Sequence, residues 1–100
     1  MFYFEASRPD LNEGVELWQN TPGAVLLDVR TRLEYLSGHV PGSLSLPMEH
    51  LEQIQIDPSV PLFVYCRSGR RSEEAAQWLN QHGYNAMNVG GIIEYDGPLE

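Results

Sequence analysis

Two short apolar runs restrict the fold of this chain more than any other feature. They are "VLLDV", residues 25–29, and "LFVY", residues 62–65, and both are best explained as buried strands. Strands of this kind occur in parallel sheets, where helices cover both faces. The segments around them have the apolar spacing of helices, so strands and helices alternate along the chain. We therefore predict an α/β fold with a small, mainly parallel sheet flanked by helices on both faces.

The other elements are predicted from apolar periodicity, caps and turn residues. Shorter strands are expected at residues 2–6, 43–47 and 86–89. Four helices are expected, namely residues 11–20, a short helix capped by Thr31 with Glu34, a helix opened by Pro47, and one with a stripe of Ser72, Ala75, Ala76 and Leu79 that ends before Gly83.

Length and charge limit the classes of function. One hundred residues are enough for one domain with a hydrophobic core, so we expect residues 1–100 to form a single domain. The formal charge of −8 argues against a nucleic acid or an anionic membrane as the main partner. The N-terminus has neither a basic leader nor a long apolar run, which predicts no secretory signal and no membrane span. We therefore expect a cytoplasmic protein, with a reduced thiol.

The segment "YCRSGRRS", residues 65–72, contains the only cysteine and three of the six basic side chains. We call residues 66–72 the cysteine loop. A loop that leads from a strand into a helix N-terminus directs backbone N–H groups inward and forms an anion cradle. Helix N-termini and arginines lower the pKa of a thiol from about 8.5 to about 3.5–7.5. The Cys66 thiolate is therefore predicted to predominate at neutral pH.

The neighbours of Cys66 support this interpretation. Arg67, Arg70 and Arg71 supply positive charge, and Gly69 allows a tight turn without a Cβ in the cradle. The alternative is an inert, buried cysteine, which is the commoner role of a free thiol. Three adjacent arginines argue against it, because burying unpaired charges is costly. With a single cysteine, neither an internal disulfide nor a multi-cysteine metal site is expected.

Loop spacing separates two classes of cysteine nucleophile. The catalytic loop of a cysteine-dependent phosphatase or arsenate reductase needs an arginine six positions after its cysteine, because the loop must surround the oxygens of a tetrahedral anion. Ser72 occupies that position here, and Arg71 precedes it. The tighter ring suits a single sulfur atom better, which disfavours a phosphatase.

Several stretches together resemble the single-domain rhodaneses, which are thiosulfate and persulfide sulfurtransferases. "YCRSGRRS" resembles their active-site loop, "LLDVRTRLEYLSGHVPGSLSLP" resembles their Asp-x-Arg, Gly-His-x-Pro-Gly-Ala and Asn-x-Pro stretches, and "VGGIIEYDGP" resembles their closing Gly-Gly stretch. Two departures are visible. Ser43 stands where the family frequently has alanine, and Tyr95 stands where it often has tryptophan. These two differences affect the expected shape of one wall of the pocket.

The resemblance implies a persulfide mechanism without a metal or an organic cofactor. The Cys66 thiolate would take the outer sulfur of thiosulfate or of a persulfide donor, and a thiol or cyanide would remove it. The acceptor thiol can belong to a protein. The backbone N–H groups from Arg67 to Ser72, which include those of Ser68 and Gly69, would stabilise the persulfide. Arg67 and Arg70 are the candidates for thiosulfate recognition, whereas Arg71 is either catalytic or tied to a carboxylate.

Residues outside the loop are expected mainly to support it. Asp28 and Arg30 end an apolar strand within reach of the loop, and we expect them to cap the next helix and to pair with Glu34 or another carboxylate. His39 lies in "GHVPG", where a turn-forming role is expected rather than that of a base. A second function remains open, namely a persulfide carrier or regulatory binding module that only protein partners load.

Overall fold

Four parallel strands form the sheet of this protein, whose computed structural model describes residues 8–100. The strands are β1 (Val25–Asp28), β2 (Leu44–Ser45), β3 (Pro61–Cys66) and β4 (Asn85–Gly91), in the order β2-β1-β3-β4. Every neighbouring pair is parallel. The α/β architecture predicted from the sequence is thus confirmed. The strand predicted at residues 2–6 lies outside the described residues.

Three α-helices accompany the sheet, namely α1 (Leu11–Gln19), α2 (Arg32–Ser37) and α3 (Arg70–Gln81). The segment after Pro47, predicted as a helix, is a 3₁₀ helix, Met48–Gln53, interrupted by the non-helical backbone of His50. Its single buried residue is Leu51. The non-helical backbone of His50 divides the segment into two pieces, each too short for a regular α-helix. A second 3₁₀ helix, Ile92–Glu94, follows β4.

Two capping boxes begin helices where the sequence predicts them. The Thr31 hydroxyl accepts from the Glu34 N–H at 3.2 Å, and the Glu34 carboxylate accepts from the Thr31 N–H at 2.9 Å. Asp10 and Glu13 form the same reciprocal pair at the start of α1. Each cap satisfies N–H groups that the helix itself leaves unpaired, and a cap of this kind is worth about 1 kcal/mol.

The two faces of the sheet form separate hydrophobic cores. On one face Leu27 of β1 and Val64 of β3 pack with Ala75 and Leu79 of α3, and Cys66 belongs to this cluster. On the other face Leu26 and Phe63 pack with Leu11 and Val15 of α1, and Tyr65 belongs there. Successive residues of β3 therefore point to opposite cores, as expected for a strand that is covered on both sides.

A buried ion pair closes the carboxyl end of β1. The Arg30 guanidinium binds the Asp28 carboxylate through Nε and through Nη2, the latter at 2.6 Å, and Asp28 is fully buried. Arg30 also donates to the Gly38 carbonyl at 2.8 Å and lies over the Tyr65 ring. The pair thus joins β1, the end of α2 and the residue that precedes Cys66.

Replacing Arg30 is expected to destabilise the fold strongly. Arg30→Ala leaves the Asp28 carboxylate buried without its partner, and we expect the free energy of unfolding to fall by about 3–5 kcal/mol in urea titrations. The matched control is Arg32→Ala, which removes an exposed guanidinium stacked on Tyr35 and should cost about 1 kcal/mol or less. Equal losses in the two variants would contradict a structural role for the buried pair.

Candidate active site

The cysteine loop turns around the thiol of Cys66. β3 ends at Cys66, α3 begins at Arg70, and the junction residue Gly69 has a φ of 98°. In this left-handed conformation the Gly69 N–H points back and donates to Cys66 Sγ at 3.0 Å. A side chain disfavours this backbone conformation, which explains the glycine. Of the N–H groups expected around the sulfur, the structure thus places that of Gly69 within hydrogen-bond distance.

Burial and hydrogen bonding act on the Cys66 thiol in opposite directions. The residue has no exposed surface, and burial alone raises the pKa of a thiol. The Ser72 hydroxyl and the backbone N–H groups of Ser72, Gly69 and Ser68 stabilise the thiolate and outweigh burial, so the pKa of Cys66 is lowered. The Ser72 oxygen lies 3.4 Å from Sγ. These contacts favour an anionic sulfur beneath the loop.

The glycine pair at the end of β4 brings that strand against the outside of the loop. A Cβ on Gly91 would collide with the Arg67 carbonyl and with Ser68. The same Arg67 carbonyl accepts from the Ile93 N–H at 3.2 Å. Gly91 therefore allows close backbone packing against the loop. β4 therefore fixes the position of the first loop residue after Cys66.

Arg71 is held by a carboxylate from another helix. Its guanidinium donates to both oxygens of Glu34, at 2.8 and 3.0 Å. This bidentate contact lowers the pKa of Glu34 to about 2. Glu34 also caps α2 through Thr31, so the pair ties α2 to the first turn of α3. The structure thus favours the carboxylate-bound alternative for Arg71.

Arg67 and Arg70 are exposed, whereas Arg71 is partly buried. Arg70 lines a groove of about 410 Å³ on the flank of the loop, together with the backbone of Ser68 and Gly69. Arg8, Glu73 and Asn88 contribute to the same groove. Arg70 is therefore placed where it can meet an anion beside the loop.

The predicted supporting residues Asp28 and Arg30 lie beside Tyr65, with the Arg30 guanidinium over its ring. They pair with each other, so the partner of Arg30 is another nearby carboxylate, Asp28, and not Glu34, which faces Arg71. Asp28 also does not cap α2, since Thr31 does. The Tyr65 hydroxyl, on the opposite core, accepts from the Val40 N–H and hydrogen-bonds Ser43. Ser43, where alanine is frequent in the resembling family, thus anchors the residue before the thiol.

The histidines have structural contacts. His39 Nδ1 lies 2.8 Å from the Tyr35 carbonyl, and the His39 ring stacks on the Tyr35 ring. His50 and His82 are exposed. Within residues 8–100 no group of three or more His, Cys, Asp or Glu side chains could hold a metal ion. No helix in that same range is long and apolar enough to cross a membrane.

Two residues at the loop were not singled out by the sequence analysis. Asn88, on β4, is buried and hydrogen-bonds Ser72 and the Gly69 carbonyl. Its only signal is a polar side chain inside the apolar strand "AMNV". Arg8 lies near Gly69 and Gly90, where a Cβ on either glycine would meet its guanidinium. Nothing in the local pattern around Arg8 indicates that contact, because it joins distant parts of the chain.

Comparison with known proteins gives one consistent family. Residues 11–96 match the family model of the rhodanese-like domain. A sulfurtransferase of Allochromatium vinosum is 41% identical over 81 residues, which cover 76% of this chain and 75% of that protein. The human single-domain sulfurtransferase has 27% identity and a TM-score of 0.70, with 87% of this chain and 92% of that chain covered.

A second kind of relative is a larger protein. The tRNA uridine(34) hydroxylase of Erwinia tasmaniensis is 33% identical over 84 residues. The match covers 74% of this chain but only 24% of the hydroxylase. This chain therefore spans about a quarter of the length of those relatives.

The hydrogen bonds to Sγ predict an acid-shifted reactivity profile for Cys66. We expect the rate of alkylation by iodoacetamide to rise with pH to a plateau, with a midpoint below the value of about 8.5 for an ordinary thiol. The control is the same protein unfolded in urea, where the cradle is lost and the midpoint should return to about 8.5. A folded-state midpoint at or above the unfolded one would show that burial outweighs the hydrogen bonds.

Proposed function

The chain belongs to the rhodanese-like domain family, and from this membership we propose that it is a sulfurtransferase whose Cys66 carries the transferred sulfur. The observation that carries the proposal is the 3.0 Å contact between the Gly69 N–H and Cys66 Sγ. It places an anion-stabilising backbone donor on the chain's only cysteine. The similarity to a sulfurtransferase over 75% of that protein's length supports the same reaction class.

The proposed reaction is two successive transfers at one sulfur. The Cys66 thiolate attacks the outer sulfur of thiosulfate, the sulfur–sulfur bond of the donor breaks, and sulfite leaves with the bonding electron pair. The new persulfide is an anion that the N–H groups of the loop stabilise. A thiolate or cyanide then attacks the outer sulfur of the persulfide, and the Cys66 thiolate leaves. Neither step needs a proton, a metal or an organic cofactor.

The alternative chemistry of a phosphatase receives no support from Arg71. A phosphate-binding loop needs a guanidinium directed at the anion, but both nitrogens of Arg71 that could serve bind Glu34. Ser72, at the position of the phosphatase arginine, is buried against Cys66. The arrangement therefore favours transfer of a sulfur atom over hydrolysis of a phosphate ester.

A second candidate function follows from the burial of the thiol. Cys66 has no exposed surface, so a donor reaches Sγ only when the loop or its neighbours shift. A protein partner could supply that shift by binding beside the loop, which would make the chain a persulfide carrier loaded by proteins. The acidic chain suits a basic partner protein in a cytoplasmic setting. Because this chain spans about a quarter of the hydroxylase relatives, we propose no hydroxylation for it.

Steady-state turnover separates an enzyme from a carrier. With thiosulfate and cyanide we expect catalytic formation of sulfite and thiocyanate, and we expect Cys66→Ser to reduce it to the uncatalysed rate. Far-ultraviolet circular dichroism of the variant checks its fold. Turnover that persists in a folded Cys66→Ser protein would overturn the proposal. Wild-type protein that accepts sulfur but does not turn over would favour the carrier.

The exposed arginines are expected to act in donor binding. We expect Arg70→Ala to raise the KM for thiosulfate by about tenfold, which is 1.4 kcal/mol, because it removes a cation from the groove beside the loop. Arg67→Ala should have a similar effect, and kcat should change less in both variants. Arg32→Ala, on α2 and outside the residues that line this groove, is the control of equal charge. An unchanged KM in both loop variants would remove these residues from substrate recognition.

A further inference from the structure

Asn88 occupies a central position behind the cysteine loop. Its side chain makes four hydrogen bonds: Nδ2 donates to the Gly69 carbonyl and to Glu73 Oε1, both at 3.1 Å. Its Oδ1 accepts from the Gly90 N–H at 3.0 Å and from the Ser72 hydroxyl at 2.7 Å. All donors and acceptors of this buried amide are therefore used.

The partners of Asn88 determine which way its amide faces. A backbone N–H can only donate and a backbone carbonyl can only accept, so Gly90 requires the oxygen and Gly69 requires the nitrogen. The oxygen consequently faces Ser72, and the Ser72 hydroxyl must be the donor in their contact. This direction follows from the neighbours alone, because two backbone groups of fixed character enclose the amide.

Ser72 has one proton and three acceptors. Its Oγ lies 2.7 Å from Asn88 Oδ1, 3.4 Å from Cys66 Sγ and 3.4 Å from the Gly90 carbonyl. A hydroxyl donates a single proton, so a strong bond to Asn88 withdraws it from the sulfur. The shortest of the three contacts is the one to Asn88. The Cys66 thiolate and the Asn88 carbonyl therefore compete for the same donor.

We propose that Asn88 is a positioning residue that competes for the Ser72 hydroxyl proton, weakens the hydrogen bond from Ser72 to the Cys66 thiolate, and so keeps the sulfur a stronger nucleophile. The proposal rests on the proposed sulfur transfer for its functional meaning. A thiolate loses nucleophilicity as it is stabilised, with a Brønsted coefficient of about 0.4–0.5. A cradle that stabilised the bare thiolate with every available donor would thus slow its attack on a sulfur donor. Asn88 limits that stabilisation by weakening one hydrogen bond, the 3.4 Å contact from Ser72.

Asn88→Leu also removes the hydrogen bonds to the Gly69 carbonyl and to Glu73, a change that is the same with and without Ser72. The other charged groups near the loop are Arg67, Arg70, the pair of Arg71 with Glu34 of α2, and the pair of Asp28 with Arg30 behind Tyr65 at the end of β1. Glu94 and Arg8 face Gly90 from the two chain segments that flank it. The 3₁₀ helix that packs on the Cys66 core through Leu51 carries only exposed titratable side chains, Glu49, His50 and Glu52.

A double-mutant cycle tests the competition. The pH midpoint of Cys66 alkylation by iodoacetamide is measured in the wild type, Asn88→Leu, Ser72→Ala and the double variant. We expect Asn88→Leu to lower the midpoint by about 0.5 pH unit or more, because the freed hydroxyl donates to the thiolate. In the Ser72→Ala background the same substitution should cause no shift. If the leucine does not fit, Asn88→Ala serves in the same comparison.

Asn80 provides a matched control. It also joins α3 to β4, since its side chain donates to the Ala86 carbonyl and accepts from the Ala86 N–H, both at 2.9 Å. We expect Asn80→Leu to reduce stability and to leave the alkylation midpoint unchanged. The proposal is overturned if Asn88→Leu fails to lower the midpoint, if the shift is equally large without Ser72, or if Asn80→Leu lowers the midpoint as well.

The outcome is independent of the proposed function. Alkylation reports the thiol itself, whereas intact mass after thiosulfate reports sulfur loading. If Asn88→Leu lowers the alkylation midpoint only when Ser72 is present, but the protein never gains sulfur, the sulfurtransferase is rejected and the effect of Asn88 on the thiol is retained. If Asn88→Leu leaves the midpoint unchanged in a protein that gains sulfur, only the role of Asn88 is rejected.

Discussion

The hydrogen bond from the Gly69 N–H to Cys66 Sγ is the contact around which the rest of the site is arranged. It requires the left-handed backbone of Gly69, the start of α3 at Arg70, and the end of β3 at Cys66. It also requires close approach of β4, where Gly91 leaves room for the Arg67 carbonyl. A rigid α/β sheet supplies all of these, because its strand ends and helix starts are set by two packed cores.

Four of the six arginines divide into two groups. Arg30 and Arg71 are bound to Asp28 and Glu34, and they hold β1, α2 and α3 in register around the loop. Arg67 and Arg70 are exposed beside the thiol, where positive charge can meet an anionic donor. Buried pairing therefore serves the scaffold, and the exposed charges are the ones that we propose for recognition of the donor. The thiol itself depends on neutral donors, namely backbone N–H groups and the Ser72 hydroxyl.

Local patterns predicted much of this structure, and long-range contacts account for what they missed. The apolar runs of β1 and β3, the capping box of Thr31 with Glu34, and the turn at Gly69 all depend on residues near one another in sequence. The partner of Arg71 is 37 positions away and Asn88 is 16 positions from Ser72, so no periodicity identifies either. For Arg30 the sequence left the choice between Glu34 and another nearby carboxylate open, and the structure selects Asp28, two positions before it.

The most direct test of the account is the intact mass of the purified protein before and after incubation with thiosulfate, followed by a cyanide chase. If Cys66 carries the transferred sulfur, the mass increases by about 32 Da, one sulfur atom. The cyanide chase then removes this increase, and the Cys66→Ser variant never shows it. Such a cycle would establish Cys66 as the covalent sulfur carrier. A stable mass in protein whose thiol is still alkylated at neutral pH would contradict thiosulfate as the donor, and a gain that persists in Cys66→Ser would contradict the role of the cysteine.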